Sequence, residues 1–310
     1  MSDPFAPAAD AGIRRLAIPT PFAVGRVNLY LIEDDPLTLV DAGPNSGRSL
    51  DELERQLRDL GHAIEDIGLI LVTHQHIDHI GLVSIVARRS GAEVAAIDAL
   101  VPFVEGYADV AASQDEFASR LMLRHGISAD VVQALQSVSM AFRAWGARAD
   151  VTRQLHDGEV LELAGRRLEV AFRPGHSPTD TVFLDRERRI LLAADHLLAH
   201  ISSNPLVTAT ADEADRPQAL VAYLDSLQKT RAMDVDLVLP GHGDPITDHR
   251  ELIAERPRTA YEIAQALWGN VAVTQAYLTL SEVLGHTDIL INEGRVHELR
   301  DGDVIRFEAA

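Results

Sequence analysis

The run Thr73-His74-Gln75-His76-Ile77-Asp78-His79 sets three imidazoles and a carboxylate close together. Further donors follow at a distance: His176 in Pro-Gly-His-Ser, Asp195 in Ala-Ala-Asp-His and His242 in Pro-Gly-His-Gly. Each sits just after a short apolar run, where a strand would deliver a side chain to the rim of a sheet. Imidazole and carboxylate together suit zinc, iron or manganese, and the chain has no cysteine to bias the choice. Two such ions roughly 3.5–4 Å apart can hold a bridging hydroxide at neutral pH and stabilise both the attacking and the leaving oxygen. A carboxylate is the natural bridging ligand, which makes Asp195 the candidate. A single histidine near a strand end is more often structural or solvated; the joint pattern is what favours metal over that blander reading.

Alternate residues of an extended segment point the same way. Gly68 to Thr73 reads as a buried strand, so His74 and His76 leave its end on one side and could share one ion. Asp78 and His79 come after a turn into the apolar segment Ile80 to Ala87, which reads as a helix. They would face the other side of the same cavity and could bind a second ion.

The elements that must hold these residues can be read in outline. Residues 1–23, rich in Ala and Pro, read as a loose arm. Val27–Ile32 and Leu37–Val40 predict a hairpin with Asp34-Asp35-Pro36 as its turn. Ser49 and Glu52, in capping-box spacing, predict a helix that runs through Leu60 and stops at Gly61. From about Ala99 to Arg148 apolar residues such as Phe117, Leu121, Val132, Leu135 and Phe142 recur at helical spacing. This helical insertion is either a packing element or a lid over the metals. Strands are expected at Leu161–Leu163, Arg167–Phe172, Thr181–Leu184, Ile190–Ala194 and Leu237–Leu239, with a helix over Pro217–Thr230. The strand pattern alone specifies only an α/β class.

The seven donors, with Asp41 at the end of Leu37–Val40, resemble the metallo-β-lactamase superfamily, over roughly Val24 to Thr247. The resemblance implies a four-layer αββα sandwich. It implies that His74, His76 and His176 bind one ion, that Asp78, His79 and His242 bind the other, and that Asp195 bridges. Asp41 matches a non-ligating aspartate that supports the metal loop through hydrogen bonds. Asp78 would also be catalytic, shuttling a proton to the leaving group. True β-lactamases of the fold generally lack an aspartate at the Asp195 position, and the diiron oxygen-reducing branch has a glutamate where His76 stands. The glyoxalase II-like branch keeps the full set. Many relatives read Pro-Gly-His-Thr-Pro-Gly-Ser; here Thr179 and Asp180 alter the surroundings of His176. Beyond Asp195, His200 is a candidate substrate contact, set against a solvated or capping role. His62, His125, His156, His249, His286 and His297 show no ligand spacing and read as surface.

Length and charge bound the rest. A chain of 310 residues can hold a catalytic domain at 1–250 and a small one at 251–310. The tail shows a helical pattern from Arg258, another over Ala276–Leu284, and a hairpin from Arg295–Glu298 and Asp303–Phe307. It resembles the winged-helix appendix of one branch of the superfamily, some members of which cut single-stranded RNA. From Glu251 onward, however, ten acidic residues face five arginines, and the whole chain carries a formal charge of −19. Nucleic-acid modules normally show a basic stripe, so a nucleic-acid partner is disfavoured. A tail that covers the site mouth or makes a homodimer contact fits better. No apolar run approaches about 18 residues and the first residues have no signal-peptide character, so no membrane role is expected and the cytoplasm is the expected location.

The leading expectation is a hydrolase that uses two divalent ions, zinc first and iron or manganese as alternatives, on a small acyl substrate: a thioester, ester or lactone. The alternative is a metal-dependent phosphodiesterase or endoribonuclease acting on single-stranded RNA. A non-hydrolytic protein, either a single-iron sulfur oxygenase or a regulatory binder, is argued against by the complete ligand set.

Overall fold

Strands rich in valine, leucine and isoleucine, the central ones buried on both faces, build two sheets. In a computed structural model of the chain the described residues are 3–201, 203–209, 217–255, 276–301 and 304–310. In the first sheet β1 (Ile13–Ile18), β2 (Val27–Ile32), β3 (Thr38–Val40), β4 (Leu69–Val72), β5 (Glu93–Ile97) and β6 (Arg153–Leu155) lie side by side in that order. The pairs up to β3 are antiparallel; β3 to β6 run parallel. The second sheet comprises β7 (Val160–Glu162), β8 (Arg167–Phe172), β9 (Thr181–Asp185), β10 (Ile190–Ala194) and β11 (Leu237–Pro240), ordered β11-β10-β9-β8-β7. Only its β10–β11 pair is parallel.

Period-2 alternation sorts the second sheet's side chains between two cores. Leu168, Val170, Phe183, Ile190 and Leu192 join the core that the two sheets share. Ala171, Val182, Leu184, Leu191 and Ala193 face the other way, onto Tyr223 and Leu227 of a helix over Ala219–Arg231. Against the first sheet pack α2 (Gly47–Asp59), through Leu53 and Leu57, and α4 (Val83–Ser90), through Val83 and Val86. The result is the αββα sandwich. Burial of each large side chain in it contributes roughly 1.5–3 kcal/mol.

The remaining helices are α1 (Ala6–Asp10), α3 (Ile77–Ile80), α5 (Val101–Glu105), α6 (Tyr107–Arg124), α7 (Ala129–Phe142), α8 (Ala219–Arg231), α9 (His249–Glu255) and α10 (Ala276–Asn292). The insertion is helical, as its spacing predicts. Asp115 ties α6 to α7 by accepting from Ser139 Oγ (2.6 Å) and Arg143 Nε (3.0 Å). In the tail, β12 (Val296–Asp301) and β13 (Val304–Ala309) form an antiparallel pair. The helix expected from Arg258 lies outside the described residues. Leu284 of α10 packs with Leu121 of α6 and Val207, joined by Phe117, Tyr277 and Phe307. Among the described residues no helix is long and apolar enough to cross a membrane.

Four expectations need correction. The loose arm holds α1 and β1, and β1 pairs with β2 from Ile13↔Ile32 to Ile18↔Val27, burying Ile13, Leu16 and Ile18. The cap of α2 is Ser46, whose side chain accepts from Ser49 N at 3.0 Å; Glu52 is instead engaged by Arg55 and Gln56. Strands β5 and β6 complete the first sheet without an expected counterpart, β5 being alanine-rich and β6 three residues long. His249 is buried, not on the surface: it opens α9, whose Leu252 and Ile253 pack on the second core.

Candidate metal centre

The donor residues leave the C-terminal ends of strands. Asp41 follows β3, His74 and His76 follow β4, His176 follows β8, Asp195 follows β10 and His242 follows β11. Because β3–β4 and β10–β11 are parallel pairs, these ends converge on one rim. Ligand sites favour that edge of an α/β sheet.

All seven candidate donors meet there. His74 Nε2 and His176 Nε2 lie 3.1 and 2.9 Å from His76 Nδ1. His242 Nε2 lies 3.3 Å from Asp78 Oδ2. Asp195 stands between the two groups, with Oδ1 at 3.6 Å from His79 Nε2 and Oδ2 at 3.6 Å from His176 Nε2 and 3.5 Å from His242 Nε2. Tetrahedral ligands about 2.0–2.1 Å from a zinc ion would stand roughly 3.3 Å apart, the same scale. His79 Nε2 and Asp195 Oδ1 are buried and have no hydrogen-bond partner. Orphaned buried polar atoms of this kind are costly unless something else engages them, and the donor set suits divalent metal ions.

In four of the five histidines the other ring nitrogen is anchored, which aims that imidazole. His79 Nδ1 donates to Asp41 Oδ2 (2.7 Å), His176 Nδ1 to Ser203 O (3.0 Å) and His242 Nδ1 to Arg26 O (2.9 Å). Thr73 Oγ1 stands 2.9 Å from His74 Nδ1 and donates to Asp41 Oδ2 at 2.8 Å, while Thr73 N donates to Asp41 Oδ1 at 2.9 Å. Asp41 thus orients two rings without facing the centre, and its φ of 59 is one that aspartate tolerates. Burial, reinforced by neighbouring imidazoles, pushes His74 well below the usual range and His76 to about 3, leaving both neutral with a lone pair to share. Burial would raise Asp195, but the charges of His79 and His242 outweigh it and hold the carboxyl well below its usual range.

The two Pro-Gly-His turns have a steric reason. A Cβ on Gly241 would sit 2.1 Å from Asp195 Oδ1, and one on Gly175 would sit 2.5 Å from Tyr223 Cα. Sequence reading misses the grip on the His242 turn: Asn28 Nδ2 donates to Pro240 O (3.0 Å) and Gly243 O (2.9 Å), and Tyr30 OH donates to Pro240 O (2.7 Å). The available signal is a buried asparagine and tyrosine alternating along β2. Beside His176, Asp180 accepts from Ser177 N (2.8 Å) and Ser177 Oγ (2.7 Å), and Thr179 Oγ1 donates to Gln75 Oε1. Thr179 therefore links the two ligand loops. Burial pushes Asp180 up to about 6.

The centre opens into a cavity of about 690 Å³. His76, Asp78, His176, Asp195 and His242 form part of its wall. The insertion supplies much of the remainder from α6 and α7, and α10 adds Tyr277 and Leu278. The insertion and the tail therefore both bound the site. Val24, Phe142 and Ile201 line the cavity yet stay exposed, which marks its mouth. Polar groups in the helical wall are satisfied locally. Gln114 exchanges hydrogen bonds with the Ala209 backbone, Gln136 donates to Ser119 Oγ, and Asp115 holds Ser139 and Arg143. Arg143 is the one arginine or lysine among the described lining residues. His200 is exposed and is not among the residues that line the cavity.

Comparison with known proteins agrees with this geometry. Residues 23–242 match the Metallo-beta-lactamase superfamily. The chain is 31% identical over 312 residues to the probable metallo-hydrolase YqjP of Bacillus subtilis strain 168, covering 94% of this chain and 96% of that protein. A stretch of 99 residues, 32% of this chain and 28% of the other, is 27% identical to an atrochrysone carboxyl ACP thioesterase of Aspergillus fumigatus. Among solved structures, a metallo-beta-lactamase family protein of Thermus thermophilus superimposes with a TM-score of 0.76 at 28% identity, over 96% of this chain and 99% of that one.

Proposed function

The chain belongs to the metallo-beta-lactamase superfamily and is a metal-dependent hydrolase, and from that premise we propose that it cleaves small acyl substrates at a centre of two divalent ions. On this reading His74, His76 and His176 hold one ion, Asp78, His79 and His242 hold the other, and Asp195 lies between them. The observation that carries the substrate class is the cavity: mainly apolar, with its one arginine among the described lining residues, Arg143, already paired to Asp115. Beyond the ions themselves, an RNA strand entering it would find no free arginine or lysine among the described lining residues, whereas a neutral acyl group needs none. The thioesterase likeness is in keeping with a thioester.

Divalent ions bound there would polarise the scissile carbonyl and supply hydroxide from water at neutral pH, zinc being the first expectation for their identity. The chain's own part is to place and protonate. Neutral His74 and His76 offer lone pairs without competing protons. Asp41 holds the proton on His79 Nδ1, which leaves Nε2 facing inward. Asp78 lines the cavity and contacts His242, so its carboxylate is placed to carry a proton to the leaving group. In the metal-free protein burial of Asp78 favours the neutral acid, but the His242 hydrogen bond and the His79 charge outweigh this and hold it as a carboxylate. The tail from residue 251 forms, on this reading, a second unit whose α10 completes the cavity wall.

The test is side-by-side turnover of a short acyl thioester and a single-stranded RNA by metal-replete protein, with His76→Ala as control. Thioester cleavage lost in the variant is the expected result. RNA cleavage lost in the variant, without thioester cleavage, would overturn the assignment in favour of a phosphodiesterase.

A further inference from the structure

The cavity is larger and more elongated than a compact acyl group needs. Tyr107, Ala111, Gln114, Ala118 and Met122 of α6 all line it, recurring at intervals of three or four residues. At about 1.5 Å rise per residue this stripe is roughly 22 Å long. Its two alanines, two turns apart, leave a trough, and Leu135 and Val138 of α7 with Leu278 of α10 add further apolar wall. The polar side chains Gln114, Ser119 and Gln136 have spent hydrogen bonds on one another or on backbone, so the wall offers little to a polar ligand. If each non-hydrogen atom takes about the 30 Å³ of a liquid water, the 690 Å³ holds on the order of 20 atoms. The exposed Val24, Phe142 and Ile201 give an apolar chain a mouth to enter by.

We propose, resting on the acyl-hydrolase reading, that the trough between α6, α7 and α10 binds a linear apolar acyl chain, no longer than the cavity can hold, whose carboxyl end lies at the metal centre. Each methylene moved from water into such a trough strengthens binding about fourfold. Specificity for chain length is then set by the small residues Ala111 and Ala118 and by Met122 at the stripe's end.

Two measurements test this, one independent of catalysis. The first is kcat/KM for acyl thioesters from two to sixteen carbons. The second is calorimetric titration of butyrate, hexanoate, decanoate and hexadecanoate into chelator-treated protein. The expected result is a steep rise in both with length until the trough is filled, then a plateau or fall. Ala118→Phe and Ala111→Phe should move that optimum to shorter chains. Met122→Ala should move it to longer ones, and provides the opposite displacement if either phenylalanine variant does not fold. Turnover and binding that are flat across the series would overturn the chain-length inference and leave the acyl-hydrolase reading standing. Length-dependent binding without turnover of any thioester would remove the acyl-hydrolase reading while the apolar-chain trough stands.

Discussion

Asp41→Asn tests whether the centre depends on a carboxylate that touches no ion. In the wild type Asp41 accepts three hydrogen bonds: Thr73 N (2.9 Å) on one oxygen, and Thr73 Oγ1 (2.8 Å) and His79 Nδ1 (2.7 Å) on the other. Asparagine keeps the volume and tolerates the left-handed backbone, so the loop has no steric reason to move. It replaces one acceptor with a donor. If the amide NH2 faces Thr73 N, a buried N–H loses its partner. If it faces His79, the ring must shift its proton to Nε2 and so withdraw the lone pair aimed at the centre. Leaving one buried donor unmatched costs roughly 1–3 kcal/mol, and losing an outer partner of a ligating histidine typically lowers metal affinity about 10–100-fold. The expected outcome is a zinc affinity reduced by that factor in chelator competition, with metal-free stability lowered by about 1–3 kcal/mol in urea titration. A zinc affinity within about twofold of wild type would refute the argument that Asp41 sets the His79 tautomer.

Gly241→Ala should abolish turnover or cut it by about 100-fold or more, because the new Cβ would sit 2.1 Å from Asp195 Oδ1 and must displace it; unchanged kcat/KM would sink this. Asp195→Ala should lose both bound metal and activity, checked by metal analysis of the purified variant together with turnover. Stripping metal should lower thermal stability, by about 3 kcal/mol when compared with free ion at 100 times its Kd, and calorimetry with added chelator reads this directly. In metal-free protein the raised Asp180 pKa, about 6 against the ordinary 3.8, contributes stability that is fully present below about pH 4 and is lost as pH rises through 6. Relative to Asp180→Asn, the wild type should therefore weaken by about 3 kcal/mol between pH 4 and 7; a constant difference between the two would be contrary to this.

The candidate metal donors were legible because their signal is local. Each lies within a few residues of a strand end, and clustered histidines and aspartates at such places have few other reasons to be buried. The partners that aim them were not legible in the same way. Asp41 was readable because it is a side chain at a strand end. Arg26 O and Ser203 O, which anchor His242 and His176, are backbone carbonyls that any residue type could supply. Strand β1 was hidden for a related reason. Its arginines interrupt the apolar pattern, and one of them, Arg15, is held by Asn28 of the neighbouring strand, a pairing invisible without the register.

The cavity shows where local reading stops. The helical spacing of 99–148 reveals that α6 and α7 exist, but each presents more than one apolar face and nothing in either helix says which face meets solvent, core or ligand. That is decided by contacts far apart in sequence. Gln114 on α6 binds the Ala209 backbone, Leu121 packs with Leu284, and Tyr277 OH donates to Val207 O. Together these fix the stripe from Tyr107 to Met122 toward the metal centre. The same contacts give the tail a packing role: α10 buries Leu284 against α6 and its Tyr277 and Leu278 line the cavity, while Glu282 and Asp288 of the same helix are themselves buried. On the acyl-hydrolase reading, a tail in this position would restrict substrates to those that fit beneath it.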